Sequence, residues 1–513
     1  MNAKPTCSIS LMRWFLFALL TFGALPARAH VGSPDVYADA QAGPYRLSIV
    51  IRPPLVIPGV ADIEVRAQTP GITRIMVTPV PLTGEAAAHP PVADAMAQPS
   101  KDAGFYAGHL WIMATGSWQI RFAVSGAQGE QVVSIPLPAT AMATRTMQSG
   151  LGTFLSALGI LLVVGMIGIV GAAAREAKLA PGAVAPASNR RSARIAMAVA
   201  AAVLVAGVLL GNVWWKSEAA SYSGYVYKPL AMTAALEASD TLDLKLRDPG
   251  WLAQRHLDDF IPDHDHLMHL YVIRWPQMDV VFHLHPEQAG AGEFKLPLPN
   301  MPAGDYRLYA DVVHSSGFPE TIQGSMTVPA IAGRALTGDD AAGTATAVTA
   351  SGAPPASAKG DRVFRLPDGY TMVWKAPGRL VAREPEGFSF SLLGSNGRPA
   401  TDETLYMGML GHAAFVKTDG SVFAHVHPNG SMAMAAYMMA NPGMSMSGKT
   451  AAGSGTAHEM AGMAMQTESL PATVSFPYGF PSGGRYRILV QMKHGQTIET
   501  GVFDADVEEP GAR

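Results

Sequence analysis

The chain has 513 residues, enough for about three or four domains at roughly 100–200 residues each, and carries 37 basic against 40 acidic residues, a net charge of −3. That balance excludes a generally basic nucleic-acid-binding surface, and a charged fraction of 15%, against a usual ~25%, points to a part of the chain that never meets water. The lone cysteine, Cys7, lies in a segment expected to be removed on export. A mature chain without thiols has no disulfide, no Cys-ligated zinc or iron–sulfur site and no thiolate blue-copper site.

Residues 1–29 read as a signal peptide: Lys4 and Arg13 lead an apolar stretch that ends in Ala27-Arg28-Ala29, a small-x-small cleavage pattern. Residues 30–144 alternate apolar and polar positions in Tyr45 to Ile51, Ile63 to Arg66 and Trp118 to Val124, the period of half-buried strands, and predict a first β-sandwich. Two charge-free segments, 151–174 and 195–213, are each long enough for a transmembrane helix. The connector 175–194 holds five basic residues and one acid, which places it in the cytoplasm. Both flanks are then exported, with the inner membrane of a bacterium as the expected anchor site. Setting aside leader and connector leaves 29 basic against 39 acidic residues outside, an exported surface that tolerates cations.

Beyond the hairpin, 222–330 predicts a second sandwich, 331–360 a flexible linker, since Thr337 to Gly360 is almost wholly Ala, Gly, Thr, Ser and Pro, and 361–508 a third sandwich with a Met-rich insertion at 431–470. The expected fold class is mainly β: three immunoglobulin-like sandwiches plus a two-helix transmembrane hairpin. The second and third units are internal repeats. Placing His269 on His412 lays Phe282-His283-Leu284-His285-Pro286 on Ala424-His425-Val426-His427-Pro428 after a one-residue gap, and Gly304-Asp305-Tyr306-Arg307 on Gly484-Arg485-Tyr486-Arg487. Eight residues after each tyrosine stands another histidine, His314 and His494.

Four histidines thus recur in the same order in both copies. In a strand, i and i+2 share a face, so His283 with His285, and His425 with His427, set two imidazoles side by side. His269 and His314, or His412 and His494, are the expected third and fourth ligands if neighbouring strands bring them in, whether the repeats bind separately or share a site across their interface. The same register lays His264 and His266 on Met407 and Met409, pairing imidazole, which suits copper(II), zinc or nickel, with thioether, which suits copper(I). Nine methionines between Met432 and Met465, with His458, occupy a Gly, Ser and Ala background that is not expected to build a core. His30, if freed at the new terminus, has an α-amino group and an imidazole to chelate one copper, with His89 or His109 completing the site.

The stretch Asp263-His264-Asp265-His266-Leu267-Met268-His269-Leu270, followed by His283-Leu284-His285-Pro286-Glu287 and Ala303-Gly304-Asp305-Tyr306-Arg307-Leu308, resembles exported bacterial proteins of the FixH/YtkA-like kind. The resemblance covers 240–328 well and the repeat at 388–506 more loosely. It implies an immunoglobulin-like scaffold in the cell envelope and an association with metal.

The sequence has no G-x-x-x-x-G-K-[ST] loop, no G-x-S-x-G elbow and no H-E-x-x-H, so no nucleotide partner is expected, and no nucleic acid. The reading that results is a membrane-anchored periplasmic protein that binds copper, or alternatively zinc, for buffering, resistance or delivery to a periplasmic donor or acceptor. An envelope scaffold or respiratory-complex assembly factor without metal and a mononuclear metalloenzyme stand beside it.

Overall fold

The computed structural model describes residues 34–180, 182–238, 240–252, 255–347, 360–443 and 470–511. The signal peptide, His30, His458 and the methionines from Met444 to Met465 lie outside them. The protein is mainly β, with 47% of residues in strands and 17% in helices.

Three sandwiches of two antiparallel sheets each follow one another along the chain. In the first, the sheet running Val36–Ala42, Tyr45–Arg52, Gly59–Ala67, Phe105–Ile112 faces the sheet running Asp94–Ala95, Ile72–Pro81, Gly116–Gly126, Gly129–Ala139. Alternate residues of both, such as Leu47, Ile49, Ile51, Ile120, Phe122 and Val124, fill its core, as period-2 patterning requires. Two helices, Ser149–Glu176 and Ala187–Ser223, follow; both are long and apolar enough to cross a membrane. They extend beyond the expected spans 151–174 and 195–213, so both ends of the expected connector are helical.

In the second unit the sheet Glu287–Gly290, Glu293–Pro297, Thr241–Arg247, Ala231–Glu237 covers a five-stranded sheet in the order Pro319–Val328, Gly304–Val313, His269–Trp275, Val280–Leu284, Ala341–Thr344. The last strand belongs to the stretch expected to be a flexible linker. It pairs with the edge strand Val280–Leu284 from Val280↔Thr344 to His283↔Ala341, because small residues satisfy that open edge as well as larger ones. In the third unit the sheet Gly360–Arg365, Thr371–Ala376, Glu386–Leu393, Thr473–Tyr478 covers one built on Gly484–His494, which pairs with Glu403–Thr404, His412–Lys417 and Thr497–Val507; Phe423–Val426 pairs with His412–Lys417.

The His-bearing sheets of the two repeats pack face to face. Leu270 and Val272 point into the second unit's own core, while the alternating Tyr271 and Ile273 join Val281 and Tyr309 against Ala414, Val416, Phe423 and Leu489 of the third unit. Tyr309 stacks on Phe423 at 4.4 Å between centroids. Burial on both faces is why His269–Trp275 is almost continuously apolar rather than alternating. The buried face common to both repeats also includes the positions of their histidines.

The expected Met-rich loop begins as a helix, Met434–Ala440. Met432 and Met434 are buried against the first unit's core, and the Asn441 side-chain amide donates to the Ser134 carbonyl at 2.8 Å. These two methionines are therefore packing groups, contrary to the expectation of an exposed, coreless insertion.

Candidate metal centre between the repeats

Eight histidine rings gather where the two sheets meet. Three of them, His269, His283 and His285, have ligand atoms within 4.8 Å of one another, and so do His264, His412 and His427. His425 lies between the groups, its ring centroid 5.4 Å from His269, 5.5 Å from His412 and 4.6 Å from His427. The eighth, His266, stacks on His285 at 3.9 Å and turns its Nε2 to Asp339 at 3.3 Å.

The protein sets the tautomer of most of these rings. His269 Nε2 lies 2.9 Å from the Asp263 carbonyl oxygen; a carbonyl only accepts, so Nε2 carries the proton and Nδ1 is left a lone pair. His283 Nδ1 lies 2.8 Å from the Gln491 amide oxygen, which makes Nδ1 the donor and Nε2 the lone pair. These two lone-pair nitrogens, His269 Nδ1 and His283 Nε2, face each other at 3.2 Å. His285 Nδ1 lies 3.1 Å from Asp340 Oδ1, and its Nε2 is buried without a partner.

The second group repeats the pattern. His264 Nδ1 donates to the Met407 carbonyl at 2.8 Å and His427 Nδ1 to the Met432 carbonyl at 3.2 Å, so each presents a buried, unpartnered Nε2. His412, fully buried, has neither ring nitrogen bonded. A ring held through its far N–H while its near nitrogen stays free is the usual support of a metal-ligating imidazole.

Burial, reinforced by the neighbouring imidazoles, holds His269, His283, His285, His412 and His427 well below the ordinary histidine range. It lowers His264 as well, against the pull of the Asp263 carboxylate. Burial disfavours charge, so the rings are neutral and their lone pairs are available near pH 7.

Support crosses between the units in a reciprocal way. Asp311 stands opposite His269 in its sheet, and Gln491 stands opposite His412 in the other. His283 of the second unit is held by Gln491 of the third; its counterpart His425 is paired with Asp311 of the second, Nδ1 to Oδ2 at 3.4 Å. A cavity of about 170 Å³ opens beside His269, His425 and His427, lined also by Trp118, Phe318 and Phe423.

Several expected ligands lie elsewhere. His314 is bound to Asp259 at 2.7 Å and Glu320 at 3.1 Å, and His494 sits beside Asp368 and Asp402; neither joins the two triads. Each repeat therefore does not build its own four-histidine site. The pairs His264/His266 and Met407/Met409 are not strand neighbours but occupy tight turns, closed by hydrogen bonds between Asp263 and His266 and between Tyr406 and Met409. The central residues have positive φ, 49° and 67° at His264 and Asp265, and 49° and 78° at Met407 and Gly408, as the commonest hairpin turn demands. Met407 consequently offers its carbonyl rather than its sulfur, and Met409 packs against the first unit's core. His109 is exposed and paired with Asp62 at 2.8 Å, and His89 is exposed.

Sequence reasoning did not find Asp311, Gln491, Asp340 or the Asp263 carbonyl. The first two stand at matched positions, each three residues before the last repeated histidine, and the repeat alignment already carries them; Asp340 sits in a segment whose composition reads as linker.

A family model described as a domain of unknown function (DUF8832) matches residues 363–509, the third unit. No curated protein matches the chain. Among solved structures, a tetra-tandem repeat from the extending region of a large adhesion protein aligns at 7% identity and a TM-score of 0.16, over 88% of this chain and 71% of that one. An ICAM-5 D1–D4 ectodomain fragment aligns at 10% and 0.16, over 91% and 77%. A putative membrane-anchored protein from Corynebacterium diphtheriae aligns at 8% and 0.14, over 93% and 96%. At these scores the likeness says nothing of what the chain does.

Proposed function

We propose that this is a membrane-anchored periplasmic copper-binding protein whose two histidine triads, His269–His283–His285 and His264–His412–His427, each take one ion. The observation that carries the reading is the meeting of two lone-pair nitrogens at 3.2 Å. With protons fixed on the far side of each ring, nothing between these nitrogens is attractive unless a cation is shared. Two nitrogens that far apart, each about 2.0–2.1 Å from one ion, subtend about 100° at it, close to tetrahedral.

All-imidazole donors suit copper and zinc alike. Copper is favoured by the run of methionines from Met444 to Met465, since thioethers select copper(I); zinc is the alternative. The basic connector supports an inner-membrane location with the three sandwiches in the periplasm. The carboxylates Asp263 and Asp311 beside the cavity favour cation entry, and ligand exchange with a periplasmic donor or acceptor is the expected mode of action. Titrating the full chain in detergent with copper(I) and copper(II), then counting retained ions, tests the reading. Two equivalents are expected, falling to one in His283→Ala and in His412→Ala; retention of none by the unaltered chain contradicts it.

The cavity favours a second reading, a copper enzyme acting on a small molecule held beside His425 and His427. It predicts turnover that the metal-free chain lacks.

A further inference from the structure

One corner of the duplicated fold is neutralised in the second unit and left acidic in the third. His314 and His494 come at the end of corresponding strands, and Glu320 and Glu499 stand opposite the matched residues Val312 and Met492. In the second unit Glu320 is paired with the Arg255 guanidinium and with His314, and accepts from the Tyr227 hydroxyl at 2.8 Å. In the third unit the corresponding His494 is met by the carboxylates of Asp368 and Asp402, Glu499 lies beside Asp368, and Glu403 stands opposite His494 in the strand pair. Among the described residues, no lysine or arginine is ion-paired with any of these four acids.

His494 is 7% exposed. Its Nε2 lies 2.9 Å from Asp368 Oδ2, yet makes no aligned hydrogen bond, and Tyr370 stacks on the ring at 3.9 Å. Ligand atoms of Asp368, His494 and Glu499 all lie within 4.8 Å of one another. Glu403, 6% exposed, is directly opposite His494 in the strand pair, and both its carboxylate oxygens are buried without a partner. Directly opposed residues share a face of the sheet, which puts this unpartnered carboxyl on the side of the cluster.

We propose that Asp368, His494 and Glu499 form a separate site for a borderline divalent cation, zinc by its acceptance of mixed imidazole and carboxylate donors. Burial raises the Glu499 carboxyl to about 7 and the Glu403 carboxyl to about 8. The site does not depend on the copper reading of the histidine triads.

The experiment loads the full chain in detergent with zinc chloride, removes loosely held ions and counts the zinc retained. Glu499→Gln keeps the shape of the protonated acid, and Asp368→Asn alters an exposed side chain, so neither need disturb the core. Each is expected to retain one zinc fewer than the unaltered chain, with the copper count unchanged. Should Glu499→Gln fail to fold, Asp368→Asn decides the matter alone. An undiminished zinc count in Asp368→Asn overturns the proposal; loss of copper in His283→Ala, with this zinc kept, separates it from the fate of the triads.

Discussion

Replacing Gln491 by leucine removes the acceptor of the His283 proton, together with a donor 3.4 Å from Thr500 Oγ1, and keeps nearly the same side-chain volume. Gln491 is 2% exposed and its amide oxygen takes the Nδ1 proton of His283, a residue 208 positions away in the other repeat. Leucine leaves that N–H buried and unsatisfied, a cost of about 1–3 kcal/mol, and frees the ring to tip or to move its proton onto the nitrogen that faces His269. Loss of an outer hydrogen bond of this kind typically costs about 10–100-fold in metal affinity. Competition titration of copper against a chelator of known affinity reads the change for the first triad, while the second triad, which Gln491 does not support, serves as an internal reference. Equal affinities of both ions in the variant and the unaltered chain refute the argument that the repeats hold each other's ligands.

Acid weakens the metal-free protein. A histidine whose folded-state value is depressed takes up its proton more readily unfolded, so stability is full above the ordinary ~6.5 and falls by up to about 1.4 kcal/mol per pH unit for each such ring as pH drops toward the depressed values; bound metal delays the loss, which thermal unfolding between pH 7 and 5 measures. Met407→Gly, which suits the positive φ and keeps the carbonyl that orients His264, is expected to leave copper affinity unchanged; a tenfold loss would restore sulfur ligation. Phe423→Ala removes a ring stacked on Tyr309 between the repeats and is expected to cost about 3–5 kcal/mol, read as a fall in the unfolding midpoint of the second and third units.

Much of the architecture was legible in residue periodicity. Alternation in Tyr45–Arg52 and Gly116–Gly126 marks strands covered on one face, and two long charge-free runs mark the apolar helices. The internal repeat located the histidines that gather, because His269, His283 and His285 and their partners lie on or beside strands whose faces follow from counting by two. What counting by two misassigned were the turns. His264 and His266 stand at i and i+2, but two positive-φ residues reverse the chain there and send one ring into the second triad and the other toward Asp339. His314 and His494 were misplaced because a matched order along two sequences does not say which face of the sandwich a strand end reaches. The crossing of ligands between units was illegible for a different reason: repeats of one fold carry no local signal of how they dock, and Gln491 and Asp311 acquire their roles only once two sheets meet.

Anomalous diffraction at the copper edge from crystals of the copper-loaded chain tests the central claim most directly. Two peaks are predicted, one about 2.0–2.1 Å from His269 Nδ1, His283 Nε2 and His285 Nε2, the other at that distance from His264, His412 and His427. Copper found only on surface side chains, with the lone pairs of His269 and His283 still facing each other, would contradict it.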